Sequence, residues 1–147
     1  MLTYQNILVA VDGSKQSELA LKKAISITKR NNATLHIVHV LETKTHAEME
    51  ACKTVITDRM IKYAEDLLQE YRQLSYDAGV LKVLTILEHG DPRIAIPRKL
   101  TPLYEIDLIM CGATGLSTIE RFFVGSVSEH ITRHATCDVL IVRNANA

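Results

Sequence analysis

Apolar residues in this chain fall in short dense blocks, separated by stretches in which they recur every three or four positions. Asn6 to Val11 (Asn-Ile-Leu-Val-Ala-Val) is nearly continuously apolar, as expected of a central strand covered on both faces. Asp12-Gly13-Ser14 breaks the run. Ser14 or Ser17 can cap a helix reaching about Arg30, with Ala20, Ala24 and Ile27 on one face and Leu21 and Ile25 beside them. Asn31-Asn32 is its stop, and Thr34 to Leu41 is a second strand. Two strands joined by a helix of this length imply a right-handed parallel βαβ unit, which makes the class α/β.

The alternation continues. From about Ala47 to Leu74 a stripe runs through Met49, Cys52, Ile56, Met60, Tyr63, Leu67, Tyr71 and Leu74, predicting one long amphipathic helix whose Met and Tyr residues belong to the core. Gly79 ends the connection and Val80 to Leu87 is a third strand. Asp91 is placed to cap the next helix, with Pro92 at its first position, where a missing N–H costs nothing. Pro97 and Pro102 should shorten or kink that helix. Ile106 to Cys111 is a fourth strand, about Ser126 to His134 a helix, Asp138 to Arg143 a fifth strand, and Asn144 to Ala147 a frayed tail. Five parallel strands with alternating helices make a three-layer doubly wound sandwich with the first strand central, where the winding reverses.

The 147 residues are the size of one domain with a core of its own. Lys plus Arg equals Asp plus Glu at 17 each, so no broad field recruits nucleic acid or an anionic membrane. The apolar runs are too short for a membrane span and no signal peptide follows Met1, which gives a cytoplasmic expectation. Cys52, Cys111 and Cys137 are odd in number, widely spaced and outside any C-x-x-C or Cys/His arrangement, against a disulfide framework or structural zinc.

Chemistry concentrates at Gly112-Ala113-Thr114-Gly115, followed nine residues later by Gly125-Ser126-Val127-Ser128 at the start of a helix. Neither a Walker A sequence nor a G-x-G-x-x-G after the first strand is present. G-x-x-G alone describes a turn as well as a ligand loop. The second Gly-Ser, at a helix start, adds unpaired N–H groups, a favourable dipole and the Ser126 and Ser128 hydroxyls, a sensible cradle for polyphosphate. Asp12, at the carboxyl end of the first strand, faces the same crevice; it can accept hydrogen bonds from ribose hydroxyls or serve as a turn or cap residue.

With Gly112, Gly115, Gly125 and Ser126 in the register G-x2-G-x9-G-[ST], and with Asn-Ile-Leu-Val-Ala-Val-Asp-Gly-Ser near its start, the chain resembles a universal stress protein of the UspA type. The likeness runs from about Tyr4 to Arg143 and falls in the subgroup carrying the ATP-binding pattern. It implies an adenine nucleotide alpha hydrolase-like, Rossmann-like fold with strand order 3-2-1-4-5. It also implies that Asp12 contacts the nucleoside, that Val40 offers main-chain groups to adenine, that the glycines and Ser126 hold phosphates, and that Val127 and Ser128 line the site. Thr114 departs from the family, standing where many relatives carry a basic residue.

Efficient phosphoryl transfer needs concentrated positive charge, and the cradle holds no lysine or arginine. Lys15 and Arg121 are the nearest cations in sequence, each readable as a solvated surface charge. A Mg or Mn ion would be coordinated largely by phosphate and water oxygens. The expected role is therefore an ATP-binding regulatory module with at most weak hydrolysis; a slow Mg-dependent ATPase or nucleotide-transferring enzyme and an interaction protein are the alternatives. A phosphoacceptor receiver domain lacks its acidic pair here. His130 and His134, four apart on a helix, have no evident third metal ligand, and His36 and His39 lie on opposite faces of one strand. Cys111 reads as a small buried strand residue. Val139, Leu140, Ile141 and Val142 form an apolar edge strand that invites pairing with another chain, and the resemblance implies a homodimer through it.

Overall fold

In the computed structural model the described residues are 3–42, 57–114 and 124–143. Five parallel strands form one sheet: β1 (Asn6–Ala10), β2 (Thr34–Glu42), β3 (Lys82–Gly90), β4 (Leu108–Gly112) and β5 (Asp138–Val142), in the order β3-β2-β1-β4-β5. The doubly wound architecture and strand order expected from the sequence are both present, with β1 at the centre.

One face of the sheet is covered by α1 (Lys15–Asn31) and α2 (Asp58–Asp77). Ile7, Val9, Leu35 and Ile37 point to this side and pack against Ala20, Leu21, Ala24, Leu67, Leu68 and Tyr71. The opposite face carries Leu8, Val38, Ile86, Ile109 and Cys111, packed against Ile96, Leu100 and Ile131 of two further helices. Alternate residues of β1 thus enter opposite cores, the reason its sequence is apolar without a break. At the amino end of the sheet, Asp107 accepts from Gln5 N (2.8 Å) and Asn6 N (3.0 Å), clamping the start of β4 to β1.

β3 runs Lys82–Gly90 where the sequence suggests Val80 to Leu87, and two helices differ from their sequence reading. Residues 47–56 of the expected long helix lie outside the described residues, and α2 is seen from Asp58, capped by Thr57. Its buried stripe is Ala64, Leu67, Leu68, Tyr71 and Ser75, while Met60 and Tyr63, expected in the core, are exposed. The first turns of α2 overhang the carboxyl end of the sheet, so residues with the right period have no strand beneath them. The second difference is the proline-bearing helix. Pro92–Ile94 begins as an α-turn, Ala95–Leu100 widens to a π-helix, and Thr101–Leu103 returns to α; together they are α3. Pro97 has no N–H, and its ring would collide with the carbonyl four residues back in a regular helix. Widening relieves this without ending the helix: Thr101 N and Oγ1 both donate to Ile96 O. The last helix, α4, spans Ser126–His134 as expected.

Each helix starts at the end of the sheet where the strands finish, so strand carboxyl ends and helix amino ends surround one opening.

Candidate functional site

That opening is a cleft of about 820 Å³. Asp12, Val40, Gly112, Gly125, Ser126, Val127 and Ser128 all line it, so the structure brings together every described residue that the sequence assigned to nucleotide contacts. Gly115 and Arg121 lie outside the described residues.

The β2 side is built by unequal strand lengths. Val11 N donates to Val38 O at 2.8 Å, after which β1 turns away, whereas β2 continues to Glu42 paired only with β3. Peptide groups of alternate strand residues face the same edge. Val40 therefore directs its N–H and C=O where Val38 does, into the gap beyond the end of β1. A donor and an acceptor side by side in one plane match the edge of a nucleobase.

At the centre, Asp12 is partly committed to its own turn. Its Oδ1 accepts from Ser14 N (2.9 Å), its N–H donates to Ser17 Oγ (3.2 Å), and Ser17 N donates to Ser14 Oγ (3.1 Å). Ser14, rather than Ser17, is the α1 cap. The turn reading and the ligand reading of Asp12 are thus compatible, because its Oδ2 has no partner among the described residues.

The far side is the start of α4. Gly125 occupies the cap position with extended backbone and no side chain to cap with, so the N–H groups of Ser126, Val127 and Ser128 are unopposed among the described residues. Three contacts aim them. Gly125 N donates to Ala113 O (2.7 Å), Ser128 Oγ donates to Gly112 O (2.6 Å), and Ile131 is completely buried under the helix, worth about 2 kcal/mol. Of the two hydroxyls, Ser128's is already donated within the protein, while Ser126's is exposed. Gly112 has a packing reason to be glycine: a Cβ there would stand 2.9 Å from Gln16 Cβ and 3.0 Å from its carbonyl carbon in the first turn of α1.

Several lining residues were not singled out from the sequence as ligand contacts. His39, Glu42, Tyr63, Pro92 and Cys111 all face the cleft. Tyr63 and Pro92 reach the cleft through the packing of α2 and α3, whereas His39, Glu42 and Cys111 stand at the carboxyl ends of strands. Burial pushes the Cys111 thiol up to about 11, opposed weakly by its hydrogen bond to Ser128 Oγ, so the thiol stays protonated and is a poor nucleophile. Lys15 is exposed and does not line the cleft. Arg93, beside Pro92 at the rim, is held by Asp91 through Nη2–Oδ2 (2.8 Å) and Nε–Oδ1 (3.0 Å); the guanidinium keeps the Asp91 carboxyl below its ordinary range. Among the described residues the cleft lining includes no lysine or arginine, and no group of three His, Cys, Asp or Glu side chains forms a metal cage. His130 and His134 stack at 4.2 Å between ring centroids, and Arg98 Nη2 donates to His134 Nδ1 at 3.4 Å, occupying that nitrogen.

The profile of the universal stress protein family matches residues 3–143. The chain belongs to the universal stress protein family. A Staphylococcus haemolyticus protein named for this family is 49% identical over 143 residues, covering 97% of this chain and 87% of the relative. Among solved structures, the universal stress protein UspA from Lactobacillus plantarum superposes with a TM-score of 0.85 at 28% identity, covering 97% of this chain and 100% of that one. A universal stress protein solved in complex with cAMP matches with a TM-score of 0.70 at 29% identity, covering 97% and 98%. Among the described residues of this universal stress protein, no helix is long and apolar enough to cross a membrane.

Proposed function

We propose that this universal stress protein is an ATP-binding regulatory module of the stress response. The observation that carries this reading is the start of α4 and the main-chain edge of Val40, both unpartnered among the described residues, lining one cleft together with Asp12. The span offers, in order, partners for a base, a sugar and phosphates, and the cAMP complex of a relative supports adenine nucleotides as the ligand class. The Gly112, Gly115, Gly125 and Ser126 pattern assigns the chain to the ATP-binding subgroup. Val127 and Ser128 would offer backbone N–H groups rather than a free Ser128 hydroxyl. A Mg or Mn ion would ride on the phosphates and water, supplying the positive charge that the described lining lacks.

Hydrolysis is at most weak on this reading, because the described lining provides neither a cationic clamp on the terminal phosphate nor a base held against an attacking water. The working form is a cytoplasmic homodimer joined through β5. Val139, Leu140 and Ile141 are half-exposed, and the outer edge of β5 is unpaired among the described residues, which an isologous contact would cover.

Protein purified without added nucleotide should release an adenine nucleotide on denaturation, detected by mass spectrometry, and should bind ATP with Mg in a titration that Gly115→Val weakens. Equal binding by wild type and Gly115→Val, or no binding by either, sinks the proposal. Turnover well above a metal-only background, abolished by Asp12→Ala, would replace it with the enzyme reading.

A further inference from the structure

The His39 ring is nine-tenths buried and lines the cleft. Its Nδ1 lies 2.7 Å from the Val11 carbonyl. A carbonyl can only accept, so Nδ1 carries the hydrogen, and in the neutral ring Nε2 is left with a lone pair. Nε2 has no partner among the described residues, yet it is not one of the sealed, unpartnered polar atoms of the interior. The ring, which lines the opening, thus holds an acceptor with no partner among the described residues. The same bond completes the hold on Val11, whose N–H is already donated to Val38, and so fixes the peptide that leads into Asp12.

The position of His39 across the cleft indicates what it meets. Val40 stands at the β2 end, Gly112 and the start of α4 at the other, and His39 and Asp12 are joined through Val11 at the end of β1, between them. A nucleotide laid from Val40 to α4 has its sugar in the middle.

We infer that His39 Nε2 accepts a hydrogen bond from one of the two ribose hydroxyls, with the Asp12 carboxylate taking the other, so that the cleft selects ribonucleotides over a deoxy counterpart. This rests on the nucleotide reading above. His39 has two separable tasks: Nδ1–H positions the Asp12 peptide, and Nε2 reads the sugar.

The test compares ATP, 2′-deoxy-ATP and 3′-deoxy-ATP, each with Mg, by calorimetric titration. Wild type should bind each of the deoxy forms about three- to tenfold more weakly than ATP, the worth of one net hydrogen bond. In His39→Asn the amide nitrogen overlies Nδ1 and keeps the Val11 bond, so ATP should weaken to the level of the deoxy form that lacks the hydroxyl read by His39, and that gap should close while the one set by Asp12 remains. In His39→Gln the amide oxygen reaches the Nε2 position and should restore part of the gap. Persistence of both gaps in His39→Asn overturns the inference, as does wild type that binds all three equally, a result available even where a variant does not fold. Loss of Mg dependence in His39→Asn with sugar preference intact overturns it in favour of a cation ligand. Failure of wild type to bind any of the three brings down the nucleotide reading as well; ATP binding without a gap brings down only the sugar assignment.

Discussion

Two helices begin at the cleft, and their amino ends are finished in opposite ways. At α1, Ser14 accepts from Ser17 N through its hydroxyl and from Glu18 N through its carbonyl, and Asp12 Oδ1 accepts from Ser14 N. The N–H groups of Ser14, Ser17 and Glu18 are thus used internally. At α4 the capping position is Gly125, and beyond its carbonyl, which accepts from Glu129 N, no side chain among the described residues serves the first turn. Both ends carry the same partial positive charge by virtue of the backbone dipole. The second has no side-chain cap among the described residues, so one helix amino end is finished as a structural joint and the other is the proposed anion receptor.

The strongest way to break the contrast is to give α4 the finish of α1. Gly125→Asp would supply a capping carboxylate where the phosphates should lie; its backbone, at φ −63°, suits any residue, and a Cβ would meet Ala113 O at a tight 3.3 Å. ATP affinity should fall about 100-fold or more, from lost charge-assisted bonds and like-charge repulsion, while the melting temperature holds. Calorimetry and thermal melts on the same sample check the two halves. Next in size, Gly112→Ala should cost about 1–3 kcal/mol in urea unfolding, because its methyl group meets the Gln16 backbone and α1 has to shift. Opening the closed end is milder: Ser14→Ala should cost about 1 kcal/mol of stability and change ATP affinity less than about twofold, since its cap faces the protein. The smallest effect belongs to neither end. Burial lowers the pKa of His36 below 6.5, so protonation is harder in the folded than in the unfolded chain. Its contribution is complete above pH 6.5 and declines as the pH falls from there through the lowered folded value. Wild type should lose stability between about pH 7 and pH 5, and His36→Phe should flatten that slope in denaturant melts.

The features that sequence exposed were those set by neighbours in the chain. Alternation of strands and helices, the Ser14 and Asp91 caps, the Pro92 helix start and the Ser126–His134 helix are local matters, and each appears where the pattern placed it. Asn32, with φ 52°, closes α1 at the expected stop. What escaped was relational. The three-and-four spacing of Met60 and Tyr63 marks a helix face but not the point at which that face runs past the sheet. Pro97 announced a disturbance, whereas its resolution as a π-turn depends on Thr101 reaching Ile96. His39 reads as an ordinary strand residue until the Val11 carbonyl, from another strand, orients its ring. Gly112 is legible as a ligand glycine, yet its tightest neighbour is Gln16.

The order of the strands also sets the order in which the receptor can be made. β1 pairs with β2 across a single helix, but Ile7 meets Leu108 only after most of the chain has been synthesised, and α4 comes later still. During synthesis the Val40 side of the cleft can assemble with the first βαβ unit, whereas the Gly125 side must wait for β4 and the helix that follows it. A half-made chain could present Val40 and Asp12 but could not grip a polyphosphate, so tight nucleotide capture would itself report that the final third of the molecule has docked.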